Sequence, residues 1–253
     1  MVKIKSAAEI KIMAEGGRIL AGIIKKLIKE TKPGVSTQQL NDLAEELILK
    51  SGGQCSFKGY QNYPACLCVS LNEEIVHGLP SSQRIIKNGD LVSLDLGIFY
   101  QGYHTDMAVT LPIGRVTPVA QRLIQVTQEA LRRGIEKIKP GAHLGDIGQV
   151  IQEYVESQGF NVVRELCGHG IGQELHEDPQ VLNYGEKGTG LELKEGMVLC
   201  VEPMVTVGNW RIKKTKDGYG FKTIDNSLSC HFEHTIAVVK KGYQILTKNL
   251  IFF

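Results

Sequence analysis

Residues 86–95 read IKNGDLVSLD, and residues 193–202 read LKEGMVLCVE. The second stretch begins 107 positions after the first (86 to 193). Each runs from a Lys-x-Gly turn into an apolar strand ending on one acid, Asp95 or Glu202. Upstream at the same spacing, Lys32-Pro33-Gly34 recurs as Lys139-Pro140-Gly141. A helix ending near Gly52 likewise matches one ending near Gly159. A repeat this long is not a solenoid; it implies one domain, residues 1–253, built from two related halves of about 1–110 and 111–253. Independent use of a common helix-stop turn is the alternative explanation. Each half reads helix, helix, strands. That order predicts an α+β fold, with helices backing a pseudo-two-fold, mainly antiparallel sheet. Such symmetry brings Asp95 and Glu202 to equivalent places around a common centre.

The elements follow from periodicity and punctuation. Ile10, Met13, Leu20, Ile24 and Leu27 repeat at helical spacing over 7–30, and Lys32-Pro33-Gly34 ends that helix. A second helix spans about 37–51. Strands are expected over 66–78, 91–99 and 103–111. Helices over about 117–137 and 143–158 precede a strand- and turn-rich remainder.

Composition narrows the class. The 253 residues are 42% hydrophobic and 22% charged, with a net charge of +2. Those values exclude a disordered or fibrous chain, and the charge offers no footprint for nucleic acid. No apolar run reaches membrane-spanning length, and the N-terminus lacks the pattern of a signal peptide. The six cysteines (Cys55, Cys66, Cys68, Cys167, Cys200 and Cys230) form no C-x-x-C pair. They read as reduced, small apolar side chains in a cytoplasmic protein.

Four acids stand in apolar surroundings. Asp95 follows Leu91-Val92-Ser93-Leu94, and Asp106 precedes Met107-Ala108-Val109. A hairpin turn around Tyr100-Gln101-Gly102 sets the two roughly opposite each other. Glu202 ends Met197-Val198-Leu199-Cys200-Val201, and Glu233 opens Glu233-His234-Thr235-Ile236-Ala237-Val238. Buried carboxylates need a partner. His169, among glycines in Cys167-Gly168-His169-Gly170-Ile171-Gly172, adds an imidazole. Four carboxylates and one histidine suit two divalent cations with bridging ligands, rather than a cysteine-rich structural zinc. If the aspartates instead faced solvent, no cation would be required. His77 and His176 stand apart from this set, and His104, His143, His231 and His234 read as ordinary surface or hydrogen-bonded histidines.

In that order and with those neighbours, Asp95, Asp106, His169, Glu202 and Glu233 resemble the dinuclear site of the methionine aminopeptidases, bacterial type I. The resemblance covers about residues 3–247. It rests on Asn72-Glu73-x-x-x-His77-Gly78, Asp95-x-Gly97 with Asp106, Gly168-His169-Gly170-Ile171-Gly172, His176-Glu177-x-Pro179, Glu202-Pro203 and Phe232-Glu233-His234-Thr235. It implies the pita-bread fold and a metalloaminopeptidase that removes N-terminal methionine from nascent proteins and peptides, preferring a small second residue. Two divalent cations (Co²⁺, Fe²⁺, Mn²⁺ or Zn²⁺) are implied, bridged by Asp106 and Glu233. Asp95 would complete one site, and His169 with Glu202 the other.

By the same resemblance His77, His176 and Glu202 act in catalysis, and His77 and His176 contact substrate. Phe57, Tyr60, Tyr63, Cys68, Leu175 and Tyr219 line the methionine pocket. Phe57, Leu175 and Tyr219 depart from residues common in the family but keep the pocket apolar. The implied protein is a cytoplasmic monomer working beside the ribosome, without membrane or nucleic-acid substrate. A prolidase or aminopeptidase P, and a pita-bread peptide binder without chemistry, are the competing readings. The first usually carries an extra domain, and the second lacks metal ligands. The tail Leu250-Ile251-Phe252-Phe253 is expected to dock on the surface.

Overall fold

The computed structural model describes residues 2–248. The tail from Leu250 to Phe253 lies outside the described residues. Ser6 and Ser36 open helices α1 (Ala7–Glu30) and α2 (Thr37–Lys50) as capping boxes, each side chain accepting from the backbone N–H three residues on. Leu20, Ile24 and Leu27 of α1 are fully buried. Each such burial contributes about 1.5–3 kcal/mol.

Strands β1 (Gln54–Cys55), β2 (Leu67–Leu71), β3 (Glu74–Val76), β4 (Leu91–Tyr100) and β5 (Tyr103–Pro112) complete the first helix–strand set. The strand expected over 66–78 is broken at Asn72, whose φ of +55° turns the chain between β2 and β3. Helices α3 (Pro118–Ile135) and α4 (Leu144–Ser157) open the second set. They are followed by β6 (Asn161–Val162), β7 (Gly168–Gly170), β8 (Glu177–Val181), β9 (Val198–Val201) and β10 (Met204–Thr206). The last strands are β11 (Ile212–Lys214), β12 (Phe221–Thr223), β13 (Ser229–His231), β14 (Glu233–Val239) and β15 (Gly242–Ile245).

The main sheet is antiparallel in the order β1-β4-β5-β14-β9-β7-β8, with β15 beside β14 and β2 beside β4. Two three-stranded sheets, β13-β10-β6 and β11-β12-β3, flank it. The pseudo-two-fold is written in hydrogen bonds. Gly34 N–H donates to Ile86 O and Ile86 N–H to Val35 O. Shifted by 107, Gly141 N–H donates to Leu193 O and Leu193 N–H to Ala142 O. The bridges Ser36–Ile85 and His143–Glu192 repeat at the same shift. The fold is thus the α+β, pita-bread arrangement expected, with β4 and β9 in matching places.

The cysteines correct the sequence reading. Cys55 and Cys66 form a disulfide. Eleven residues apart, they look unrelated in sequence. Yet β1 and β2 pair in succession along β4, Cys55 opposite Ile98 and Leu67 opposite Leu96. The chain between them leaves and returns to one strand, which brings the two thiols together. Cys68, Cys200 and Cys230 are free and buried, and Cys167 is free and half-buried. Among the described residues, no helix is long and apolar enough to cross a membrane.

Candidate active site

The β4–β5 hairpin turns through Gln101 and Gly102, both with positive φ (48° and 89°), between the pair Tyr100–Tyr103. Two-residue turns of this hand match strand twist. The resulting register sets Asp95 opposite Ala108 and Asp106 opposite Gly97. The aspartates are therefore diagonal neighbours on one face rather than directly opposite. The turn is centred between Gln101 and Gly102, which shifts the expected pairing by two residues. Gly97 has a packing reason: a Cβ there would lie 2.7 Å from Ser56 Cβ and 3.0 Å from Phe57 Cε1. Its absence lets Phe57 close in beside Asp106.

Strand β14 continues the row, with Glu233 also opposite Ala108. On its other side Val201 of β9 pairs with His234, so Glu202 follows directly at the strand end. Ligand oxygens of Asp95, Asp106 and Glu233 all lie within 4.8 Å of one another. Ligand atoms of His169, Cys200 and Glu233 form a second such group, which shares Glu233. Glu202 belongs to neither group but reaches the second, its Oε1 3.6 Å from His169 Nε2.

Electrostatics follow from burial. Asp95, Asp106 and Glu233 are at most 8% exposed. Burial, and then the neighbouring carboxylates, push Asp95 and Glu233 well above the ordinary carboxylate range. Burial followed by Glu202 raises Asp106 to about 7, and burial raises Glu202 to about 8. Asp95 Oδ1 and Glu233 Oε1 have no hydrogen-bond partner. Ionised, this group would repel itself. Carboxylate oxygens with one imidazole nitrogen fit a divalent first-row cation, which would satisfy both the charge and the two orphaned oxygens.

Neighbouring contacts orient the donors. Thr235 Oγ1 accepts from Asp106 N–H at 2.8 Å and donates to Asp106 O at 2.8 Å. His169 Nδ1 lies 2.9 Å from Gly170 O. Donating there leaves Nε2 with its lone pair toward Glu202 and the cluster. Burial holds the His169 ring neutral, its pKa lowered to about 3. Cys200 is the unexpected member. Its thiol is pushed up by burial and by Glu233 and sits 3.6 Å from Thr235 Oγ1, so it remains protonated and a poor ligand.

A cavity of about 320 Å³ opens onto this cluster. It is lined by all five acid and histidine candidates, by His77 and His176, and by Phe57, Tyr60, Tyr63, Cys68, Leu175 and Tyr219. The structure therefore brings together every site residue expected from the sequence. Gln61, Lys214, Gly218 and Phe221 also line it; their stretches of sequence carry no signal for the site. The His176 and His169 rings stand edge to face, centroids 4.3 Å apart. His176 Nδ1 is 2.8 Å from the Tyr60 hydroxyl. The next residue, Glu177, is pinned by a buried ion pair to Lys5 at 2.6 Å. His77 adopts a left-handed φ of +58°, which is strained for a non-glycine residue, and packs against Phe221. Gly78 permits that turn, because a Cβ there would meet Val69 O at 2.3 Å.

His231 departs from the ordinary reading. It is 1% exposed, neither ring nitrogen has a hydrogen-bond partner, and Nε2 lies 3.4 Å from Glu202 Oε2. Its position two residues before Glu233 is the signal that the sequence offers. His104, His143 and His234 keep the ordinary reading: His104 contacts Ser56, His143 caps α4, and His234 contacts Thr247.

The model of metallopeptidase family M24 matches residues 11–240. Methionine aminopeptidase 1 of Bacillus subtilis is 46% identical, over 98% of this chain and 100% of its own. The crystal structure of a methionine aminopeptidase from Thermotoga maritima superposes with a TM-score of 0.97 at 45% identity, covering 98% of this chain and 100% of that one. A prolidase from Pyrococcus horikoshii shares the fold at TM-score 0.78 and 26% identity, and this chain spans 63% of it. With its acid–histidine cluster, its fold and these likenesses in agreement, the chain belongs to metallopeptidase family M24, among the methionine aminopeptidases.

Proposed function

We propose that this chain removes N-terminal methionine from nascent polypeptides and peptides, as a single catalytic domain of two related halves with a dinuclear metal centre. Asp106 and Glu233 would hold both cations, Asp95 would hold one of them, and His169 and Glu202 would hold the other. The observation that carries this reading is the shared membership of Glu233 in two tight donor groups, with Asp95 Oδ1 and Glu233 Oε1 lacking partners. When bound, divalent cobalt, iron, manganese or zinc supplies Lewis acidity and an activated water.

The chain's own groups do the rest. The apolar wall of Phe57, Tyr60, Tyr63, Cys68, Leu175 and Tyr219 takes the methionine side chain, where one missing methylene costs about 1–3 kcal/mol. Asp95 would lie on the side that takes the free α-amine, which restricts cleavage to chain termini. His176, held by Tyr60, donates to the developing oxyanion. His77 contacts the substrate backbone. Glu202 passes a proton to the leaving amine. His77 and His176 line the same cavity, and the proposed activity includes a preference for a small second residue. We read the enzyme as a cytoplasmic monomer serving chains at the ribosome.

The test is product analysis with metal-replete protein on Met-Ala-Ser, Leu-Ala-Ser and Ala-Pro. Free methionine from the first, with little product from the others, is expected. Faster cleavage of Ala-Pro would move the chain to the prolidases, and binding without turnover would make it a binder.

A further inference from the structure

Glu202 lies between two imidazoles. His169 Nε2 is 3.6 Å from Oε1, and His231 Nε2 is 3.4 Å from Oε2. The two rings are not equivalent. His169 spends its proton on Gly170 O through Nδ1, so its Nε2 can only accept or ligate. His231 has no partner at Nδ1 or Nε2, so nothing prevents its proton from sitting on Nε2. The 3.4 Å separation is within reach, though it is not aligned as a hydrogen bond.

The backbone of His231 is fixed. Its N–H donates to Thr110 Oγ1 at 3.0 Å, its carbonyl accepts from the same hydroxyl at 2.8 Å, and it pairs with Met204. Met204 lies two residues after Glu202, so the ring and the carboxylate are carried on paired neighbouring segments. A buried ring with two orphaned nitrogens is costly unless it serves a partner, and Glu202 Oε2 is the acceptor 3.4 Å away.

We infer that His231 is a positioning residue. Its neutral ring donates from Nε2 to Glu202 Oε2, which leaves Oε1 as the oxygen presented beside His169. Glu202 then offers one oxygen to the metal centre in a fixed orientation. This inference rests on the metal-centre reading proposed above.

The test compares His231→Gln with His231→Asn. A glutamine amide nitrogen reaches about as far as Nε2, whereas that of asparagine reaches only as far as Nδ1. Asparagine is one methylene shorter, so the Co²⁺ spectrum, which reports ligand geometry, is the readout that a role in packing alone would not move. Wild-type and variant proteins are stripped, then titrated with Co²⁺ by calorimetry. The visible spectrum of each loaded protein is recorded, and kcat and KM are measured on Met-Ala-Ser. Loss of a group that orients a metal ligand typically costs roughly 10–100-fold in affinity or activity.

His231→Asn should lose affinity on that scale, change the Co²⁺ spectrum and lower kcat with KM little altered. His231→Gln should restore all three to within a few-fold of wild type. His231→Leu replaces the asparagine variant if that protein does not fold. Wild-type behaviour in His231→Asn or His231→Leu overturns the inference, as does a folded His231→Gln no better than either. Failure of wild-type protein to bind Co²⁺ would overturn the metal-centre reading itself, and is seen before any variant is compared.

Discussion

Asp95 and Glu233 are both register partners of Ala108, one from each side, so a single methyl group separates two buried carboxylates on one row of the sheet. Asp106 lies two residues along β5 from Ala108 and joins them on the same face. The row explains how one narrow strip of sheet gathers three acids; under the proposed assignment Asp106 and Glu233 serve two cations and Asp95 serves one.

Unequal placement predicts unequal loss. Asp95→Asn leaves Asp106, His169, Glu202 and Glu233, enough for about one cation per chain, with reduced activity. Asp106→Ala weakens both positions and should retain less metal, with no measurable turnover. Elemental analysis after dialysis, on protein shown to be folded by circular dichroism, checks this. More metal in the Asp106 variant would reverse the assignment of the bridge.

The buried acids also set how stability depends on pH. Burial lowers His77 and His104 to about 4 and His169, His231 and His234 to about 3. At these histidines the unfolded chain therefore binds more protons between about pH 4 and 6.5, which offsets over that range the opposite effect of the raised carboxylates. Above it the carboxylates decide. Asp106 near 7, Glu202 near 8, and the raised Asp95 and Glu233 keep protons that the unfolded chain has lost. Metal-free protein should thus be most stable near neutrality and melt at lower temperature as pH rises from about 7 to about 9. Metal binding needs deprotonated ligands, so the gain in Tm on adding metal should grow over the same range. Thermal melts with and without chelator at the two ends of that range measure both trends. A chelated protein that gains stability toward the alkaline end would contradict them.

The two facing histidines should separate by metal content. His176→Ala is expected to lower turnover by roughly 10²–10³, the scale of losing one oxyanion donor, with metal unchanged. His169→Ala should lose metal, because its Nε2 is the free ligand atom. Equal metal stoichiometry in the two variants would show the roles to be wrongly divided.

The disulfide closes the loop that carries Phe57, Tyr60, Gln61 and Tyr63, four residues of the cavity wall. Cys55→Ser with Cys66→Ser should lower unfolding stability by about 2–4 kcal/mol, the usual scale for removing a native cross-link. It should also raise KM for methionyl peptides more than it lowers kcat, since the loosened wall holds the side chain rather than the reacting atoms. Unchanged Tm and KM would mean that strand pairing along β4 alone fixes the loop.

Much of this is legible in the sequence, for identifiable reasons. Acids inside apolar strands announce themselves through the cost of burying charge, and the 107-residue repeat by itself aligns Asp95 with Glu202. The first two helices are marked by Ser36 and the Lys-Pro-Gly stop. Three features are not legible. The pairing of Cys55 with Cys66 depends on two short strands sharing β4, which spacing alone cannot express. The diagonal offset of Asp95 and Asp106 depends on which two residues form the turn. His231 reads as ordinary because its importance comes from Glu202, a residue on another segment of the chain.

The most direct test of the metal-centre account follows metal content and methionine release together in one preparation. Stripped protein is titrated with Co²⁺ or Mn²⁺, and bound metal per chain is plotted against the rate on Met-Ala-Ser. The account predicts negligible release without metal, and activity that rises with occupancy and stops rising when the centre is filled. Full activity in protein verified to be metal-free would contradict it.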